Sequence, residues 1–307
     1  MAAMAAFLAP SCSRAVTSLS TFHDQKGGVL KWRSAPSVKV SSNRTYGSKQ
    51  TLPNVQPSLR VSWEVQRRSI VRCQAAEEEE PTVDNSTVLV VGGGGIGMET
   101  VKALSTAGSW VTVYQRGDKF RKEIEGLGAM LAVGDAMDPA AIEKTFKSNT
   151  FDAVVVSVGG GTAQPEVDKD GPINFIAAAK KAGVKRFIMV SSIGVGESKA
   201  AIDAKTYGVL EKVLIAKAAA EEYLTTSGLE YTIIRPGGLL SGAPPSGKGV
   251  LTEDPTVAGL ISRTDVATLI FKVLFDKRTI SKTYSAVDIE KVFPGRPTED
   301  FETLSLA

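Results

Sequence analysis

From Thr87 onwards the chain alternates between short runs of β-branched residues and longer segments in which apolar residues recur every three or four positions. The short runs predict strands at Thr87–Val91, Trp110–Tyr114, Ala129–Val133, Ala153–Ser157, Arg186–Val190, Tyr231–Ile234 and Thr283–Val287. The longer segments predict helices at Met98–Thr106, Ala140–Phe146, Pro172–Ala182, Thr206–Thr226 and Asp265–Leu274. Strand and helix follow one another through short connections. That rhythm predicts repeated βαβ units and an α/β fold built on a doubly wound parallel sheet.

The first 72 residues lack this rhythm. They are rich in Ser and carry eleven Lys and Arg against only Asp24 and Glu64, a charge of +9. They contain no apolar run long enough for a secretory core, so the stretch reads as an organelle transit peptide. The opening Met1, Ala2, Ala3, the Ser content and a candidate processing site near Val71, Arg72 and Cys73 favour a plastid address over a mitochondrial one. The expected organisation is a transit peptide over 1–73, an acidic linker over 74–85, one dinucleotide-fold domain over 86–290 and a tail over 291–307.

Removing the first 72 residues turns the overall charge of +3 into −6 for the remaining 235. A mildly acidic chain has no general attraction to phosphate polymers or anionic headgroups, so no nucleic-acid partner is expected. No apolar run of about 18 residues occurs, so no spanning helix is expected either. The only histidine is His23, and both cysteines, Cys12 and Cys73, lie in or at the edge of the presequence. Ser-His-Asp hydrolysis, thiol catalysis, structural zinc, c-type haem and disulfide staples each need imidazole or thiolate, and all are set aside; no metal site is expected.

Directly after the first strand stands Gly92, Gly93, Gly94, Gly95, Ile96, Gly97. Gly92, Gly94 and Gly97 satisfy GxGxxG between a strand and a helix, the context in which that motif cradles a pyrophosphate on backbone N–H groups. Gly95 and Ile96 belong to the same turn. No Gly-Lys-Ser/Thr follows, which excludes a nucleotide triphosphate P-loop. When the ligand is NAD, a carboxylate normally ends the second strand and binds the ribose 2′-hydroxyl. Here the strand ends Tyr114, Gln115, Arg116, with Lys119 and Arg121 close behind. An arginine there suits the 2′-phosphate of NADP, so NADP(H) is expected over NAD(H). The alternative is an ordinary exposed basic loop.

Further along, Gly134–Asp138 (GDAMD) resembles the GDxxD adenine-side motif of the atypical short-chain dehydrogenase/reductase family. Ala153–Gly160 (AVVVSVGG), Lys185–Ser192 (KRFIMVSS), Ser227–Gly237 (SGLEYTIIRPG) and Ile261–Ala267 (ISRTDVA) are similar to its later signatures, in order, so the resemblance covers nearly all of Thr87–Asp288. It implies that Asp135 and Ala136 contact adenine. It also implies that Ser157, Val158 and Gly159 line the cofactor and that Pro236, Gly237 and Gly238 lie beside nicotinamide, with a small C-terminal lobe on the substrate side.

In the main branch of that family a Tyr and a Lys stand four apart on one helix, the Tyr as proton donor and the Lys on the nicotinamide ribose. The Lys that aligns here is Lys217, and four residues before it stands Val213. Tyr207 lies ten residues upstream, about 15 Å along a helix, too far for the same role. Lys217 shares a helical stripe with Leu210, Val213, Ala220 and Leu224, so its stem runs along an apolar face. Its ammonium is expected on the ribose hydroxyls, with a surface pair to Glu221 at i+4 as the alternative. Ser191 and Ser192 follow the fifth strand, where the resemblance implies a hydroxyl that holds a substrate carbonyl, with Ser192 as the candidate; a plain turn role is the alternative.

Two functions stay open. One is an NADPH-dependent oxidoreductase acting on a small plastid metabolite, with Ser192 and Lys217 as its catalytic residues. Without Tyr it suits flavins, quinones or conjugated acceptors better than simple ketones. The other, which the resemblance to plastid members implies, is a non-catalytic NADP(H)-binding redox sensor or assembly factor for photosynthetic complexes, with peripheral thylakoid association. Residues 237–255, rich in Gly and Pro, read as a mobile cover over the nicotinamide face or as a connecting loop. Phe293–Ala307 reads as a docking tail or as fray.

Overall fold

The computed structural model describes residues 82–294 and 302–306. The chain divides into Met1–Val71 and Arg72–Ala307, and the fold below belongs to the second unit. The presequence expected over 1–73 lies outside the described residues, as does most of the linker.

Ten strands and six α-helices are described. In chain order they are β1 (Thr87–Val91), α1 (Ile96–Thr106), β2 (Trp110–Gln115), α2 (Arg121–Gly126), β3 (Met130–Val133), α3 (Pro139–Ser148), β4 (Ala153–Val156) and α4 (Pro165–Ala182). There follow β5 (Arg186–Val190), α5 (Ala204–Thr225), β6 (Glu230–Pro236), β7 (Gly238–Leu240), β8 (Gly249–Thr252), β9 (Leu260–Ser262), α6 (Arg263–Phe275) and β10 (Lys282–Asp288). Eight strands form one sheet in the order β3-β2-β1-β4-β5-β6-β10-β8, and β7 and β9 pair separately. Every pairing in the large sheet is parallel except β10 with β8. The strand order reverses between β1 and β4, and that switch point opens a crevice at their carboxyl ends.

Alternation along β1 shows how the sequence builds two cores. Val88 and Val90 pack with Val101 and Leu104 of α1 and with Val266, Ile270 and Val273 of α6. Leu89 and Val91 face the other way, into a cluster with Ile142 of α3, Phe175 and Ile176 of α4 and Leu224 of α5. Period-two alternation thus puts successive apolar residues on opposite faces, both covered by helices. Each fully buried aliphatic side chain contributes about 1.5–3 kcal/mol, so β1 and β4, buried almost throughout, anchor the sheet. Arg186 fastens α6 to it: the buried guanidinium donates to the Val273 and Leu274 carbonyls, the Glu230 carbonyl, Thr232 and Thr279. Burial lowers its pKa to about 10, which still leaves it charged at neutral pH.

The seven strands read from the pattern are all present, within two residues at either end. The differences have physical causes. Helix α4 begins at Pro165, seven residues before the expected start. Pro172 suggested a first turn, but Pro165 supplies the N-terminal proline and Pro172 is accommodated inside the helix. Strands β7, β8 and β9 have three or four residues each, too few for alternation to register. Residues 237–255 therefore carry β7 and β8 where a cover or a connecting loop was expected. At the far end the Leu304 N–H donates to the Leu251 carbonyl at 2.9 Å, and Leu304 and Leu306 pack on the α1/α6 side. Leu304 thus meets β8, while the Ser305 and Leu306 carbonyls accept from Arg278 and from Lys272 of α6.

Candidate functional site: the crevice at the strand ends

The glycine turn leaves β1 at Gly92, whose φ of 106° lies in the region that side chains avoid. A Cβ on Gly97 would stand 1.8 Å from the Gly92 carbonyl oxygen, so only glycine lets α1 start this close to the strand. Asp138, Asp203 and Ser262 cap α3, α5 and α6 with side-chain oxygens, whereas α1, preceded by Gly95, has no side-chain cap, and neither do α2 and α4. The turn's backbone and the positive end of α1 thus form a cradle shaped for an anion. Ser157, at the end of β4, closes the crevice: its N–H and its hydroxyl both donate to the Val91 carbonyl, at 2.9 and 3.1 Å. Val158 packs against the α3–α5 core, and Gly159 follows it.

At the end of β2, Gln115 donates to the Gly117 carbonyl at 2.7 Å and curls the following loop. Arg116 is exposed and has no carboxylate within ion-pair distance among the described residues. Its neighbours are engaged: Lys119 lies over the Phe120 ring and Arg121 pairs with Glu125. No carboxylate ends β2. The loop after β3 is organised by its own acids. Asp135 accepts from the Met137 N–H, and Asp138 caps α3 by accepting from Ala140 and Ala141. The buried Tyr114 hydroxyl donates to the Asp135 carbonyl at 3.0 Å. Burial, with the carboxylates of Asp138 and Asp135 nearby, pushes its pKa up to about 12 and keeps it a donor. Ala136 is buried, and its carbonyl accepts from Asn174.

The far half of the crevice is held by charge pairs. Lys217, on α5, stands 2.9 Å from Asp168 of α4, whose side chain is 1 % exposed. The other Asp168 oxygen accepts from the Gly160 and Gly161 N–H groups at 2.8 and 3.1 Å. One carboxylate therefore ties the loop after β4 to the lysine. Of the two partners expected for Lys217, Glu221 is engaged elsewhere. It receives Arg235 in a two-pronged pair at 3.1 and 2.5 Å, and Arg235 also reaches Glu197 at 2.6 Å. Sequence reasoning missed Asp168, because starting α4 at Pro172 left it in a loop. Begun at Pro165, the same helix places Asp168 on the stripe of Gly171, Pro172 and Phe175, its buried face.

No proton donor stands where the usual tyrosine would be: Val213 is buried, and the Tyr207 ring lies under the Lys199 ammonium at 4.0 Å. Ser192 donates to the adjacent Ile193 carbonyl at 2.9 Å, while the Ser191 hydroxyl is buried without a partner. Pro236 ends β6. The N–H of Gly237 donates to Ala286 and that of Gly238 to Gly259, which joins β6 to β10 and starts the β7–β9 pair. Above them Asp265, at the start of α6, accepts from the Ser262 hydroxyl and from the Ser246 and Gly247 N–H groups. A cavity of about 260 Å³ opens beside the glycine turn, with Gly94, Gly95, Phe120, Leu240 and Arg263 in its wall. A hollow of about 450 Å³ between α1 and α6 runs toward the other end of α1, away from the strand ends.

A glycine turn at a topological switch point, an uncapped helix and a parallel sheet define a Rossmann-type dinucleotide-binding protein. The profile of a family described as NAD(P)H-binding matches residues 92–277, and the chain belongs to that family, of the atypical short-chain dehydrogenase/reductase type. It is 28% identical over 319 residues to the chloroplastic protein TIC 62 of Oryza sativa subsp. japonica, covering 94% of this chain and 59% of that protein. It is 34% identical over 148 residues to sanguinarine reductase of Eschscholzia californica, covering 47% of this chain and 53% of that enzyme. The matches thus span less than two thirds of either relative. Among solved structures it is similar to ChuY, an anaerobillin reductase from Escherichia coli O157:H7, with 27% identity and a TM-score of 0.61 over 66% of this chain and 97% of that one. Among the described residues no helix is long and apolar enough to cross a membrane.

Proposed function

We propose that this protein is a plastid NADPH-dependent reductase that passes hydride to a small acceptor of the flavin, quinone or conjugated-carbonyl type. The observation that carries the cofactor preference is Arg116, a guanidinium without a carboxylate partner at the end of β2, where an NAD-specific site would place an acid. When bound, the dinucleotide supplies the hydride. The chain holds its phosphates on the Gly92–Gly97 turn, orients its adenine end through the loop of Asp135 and Ala136, and keeps Pro236–Gly238 and Ser157–Gly159 at the other end of the crevice. Lys217, steadied by Asp168, faces the same end as the candidate ribose ligand, and Ser192 as the candidate for the substrate.

The acceptor class follows from what stands near Lys217. With Val213 in the tyrosine's place, the chain offers no side-chain acid there, so acceptors whose reduced form takes its proton from water are the ones it can serve. The reductases among its relatives favour this reading, and TIC 62 favours the plastid. Calorimetry on the purified chain tests it: NADPH binds more tightly than NADH, and Arg116→Ala removes most of the difference. Equal affinities in the wild type would end the assignment. Steady NADPH oxidation with a panel of such acceptors supports the enzyme. Tight NADPH binding without turnover, together with redox-dependent association with thylakoid proteins, supports instead a sensor or assembly factor, the reading that the missing proton donor favours.

A further inference from the structure

We propose that Arg263, the first residue of α6, is a second anchor for the phosphates of the dinucleotide, reaching the glycine turn from the C-terminal half of the chain. The inference rests on the reading of Gly92–Gly97 as a phosphate cradle and adds a side chain to a site otherwise made of backbone. The Arg263 Nε lies 3.5 Å, and its Cδ 3.6 Å, from the point where a Cβ on Gly95 would stand. The guanidinium therefore lies against the residue that precedes α1. Its Nη1 donates to the Leu240 carbonyl at 3.0 Å, with the Ser241 hydroxyl at 3.5 Å. Those contacts orient the plane of the group and engage one nitrogen.

No carboxylate among the described residues pairs with Arg263. The acids nearby are engaged. Glu99, which lines the same cavity, is held by Lys102 at 3.0 Å and by the Thr264 hydroxyl at 3.2 Å. Asp265 is used by Ser262, Ser246 and Gly247. A half-buried guanidinium with free donors and uncompensated charge, in the wall of a 260 Å³ cavity that also exposes Gly94 and Gly95, is matched chemically by a pyrophosphate. Arginine binds such groups through paired N–H donors. Arg116 reads the adenine ribose end, where NADPH and NADH differ. Arg263 touches what they share.

The two arginines therefore separate in a binding experiment on the purified full chain. Affinities for NADPH, NADH and ADP-ribose are measured by calorimetry for the wild type, Arg263→Met, Arg263→Lys and Arg116→Ala. Arg263→Met weakens all three ligands by the same factor, roughly tenfold or more, leaving the NADPH-to-NADH ratio unchanged. Arg263→Lys keeps the charge without the fork, loses less, and again loses it equally; it carries the test if the Met variant does not fold. Arg116→Ala changes the ratio. Affinities within about twofold of wild type for both Arg263 variants, or a loss confined to NADPH, overturn the proposal while leaving the cradle intact. A wild type that binds none of the three overturns the cradle itself.

Discussion

The two ends of the crevice are built by different means. At the β1–β2 end the site is backbone: a turn that only glycine can make, a helix without a side-chain cap, and one exposed arginine. At the β5–β6 end it is side-chain charge, with Asp168 on Lys217 and Arg235 spanning Glu221 and Glu197. The first end offers open donors to any pyrophosphate. At the second the charges already satisfy one another. The group left over at that end is the Ser191 hydroxyl, buried without a partner.

The sharpest break in this contrast is Gly97→Val. Its Cβ would fall 1.8 Å from the Gly92 carbonyl, so dinucleotide binding drops roughly a hundredfold or more, with a stability loss of about 3 kcal/mol. Retained binding in a fluorescence titration would show that the turn is not the cradle. Next in size is Asp168→Ala, which strands a largely buried ammonium and two backbone N–H groups. It costs about 3 kcal/mol in urea unfolding, and Asp168→Asn, which keeps an acceptor for Gly160 and Gly161, costs less. An unchanged midpoint in the alanine variant would mean that the Asp168 contacts do not hold the far end together.

A smaller effect is expected at Arg116. Its replacement by Ala weakens NADPH by about 1.5 kcal/mol and leaves NADH unchanged, which puts the 2′-phosphate contact on one side chain. The smallest concerns the start of α6. Burial alone would raise the Asp265 carboxyl, but hydrogen bonds from Ser262, Ser246 and Gly247 outweigh it and hold its pKa below the ordinary carboxylate range. A carboxyl whose pKa falls on folding stabilises above its unfolded value, near 4, and loses that contribution as pH drops through its folded value. Asp265→Asn is therefore less stable than wild type at pH 7, by about 1 kcal/mol, and the gap closes in melts below about pH 4. A gap independent of pH would locate the effect in packing instead.

The contrast between the two ends also divides what could be read from the chain. The strands were legible because β1, β4 and β5 are apolar runs of the right length. The glycine turn was legible because all its requirements lie within six consecutive residues. Lys217 stood out through the family resemblance and its stripe placed the stem on an apolar face, but the carboxylate that meets it was not foreseen. Glu221 is one turn away along the helix, whereas Asp168 becomes a neighbour only when α4 and α5 pack side by side. Arg235 was visible as part of SGLEYTIIRPG, but nothing local said that it holds Glu221 and so takes that carboxylate away from Lys217.

The order of residues along the chain, by itself, determined the alternation of strand and helix, the two-faced burial of the central strands and the glycine turn, because each is a local periodicity or a local steric demand. Tertiary structure alone decided which acid meets which base, that β8 runs antiparallel at the edge beside β10, and that Arg263 arrives against Gly95. Those outcomes depend on crossovers that bring together segments far apart in sequence, and competition among several nearby charges is settled by distance and burial, neither of which a linear pattern contains.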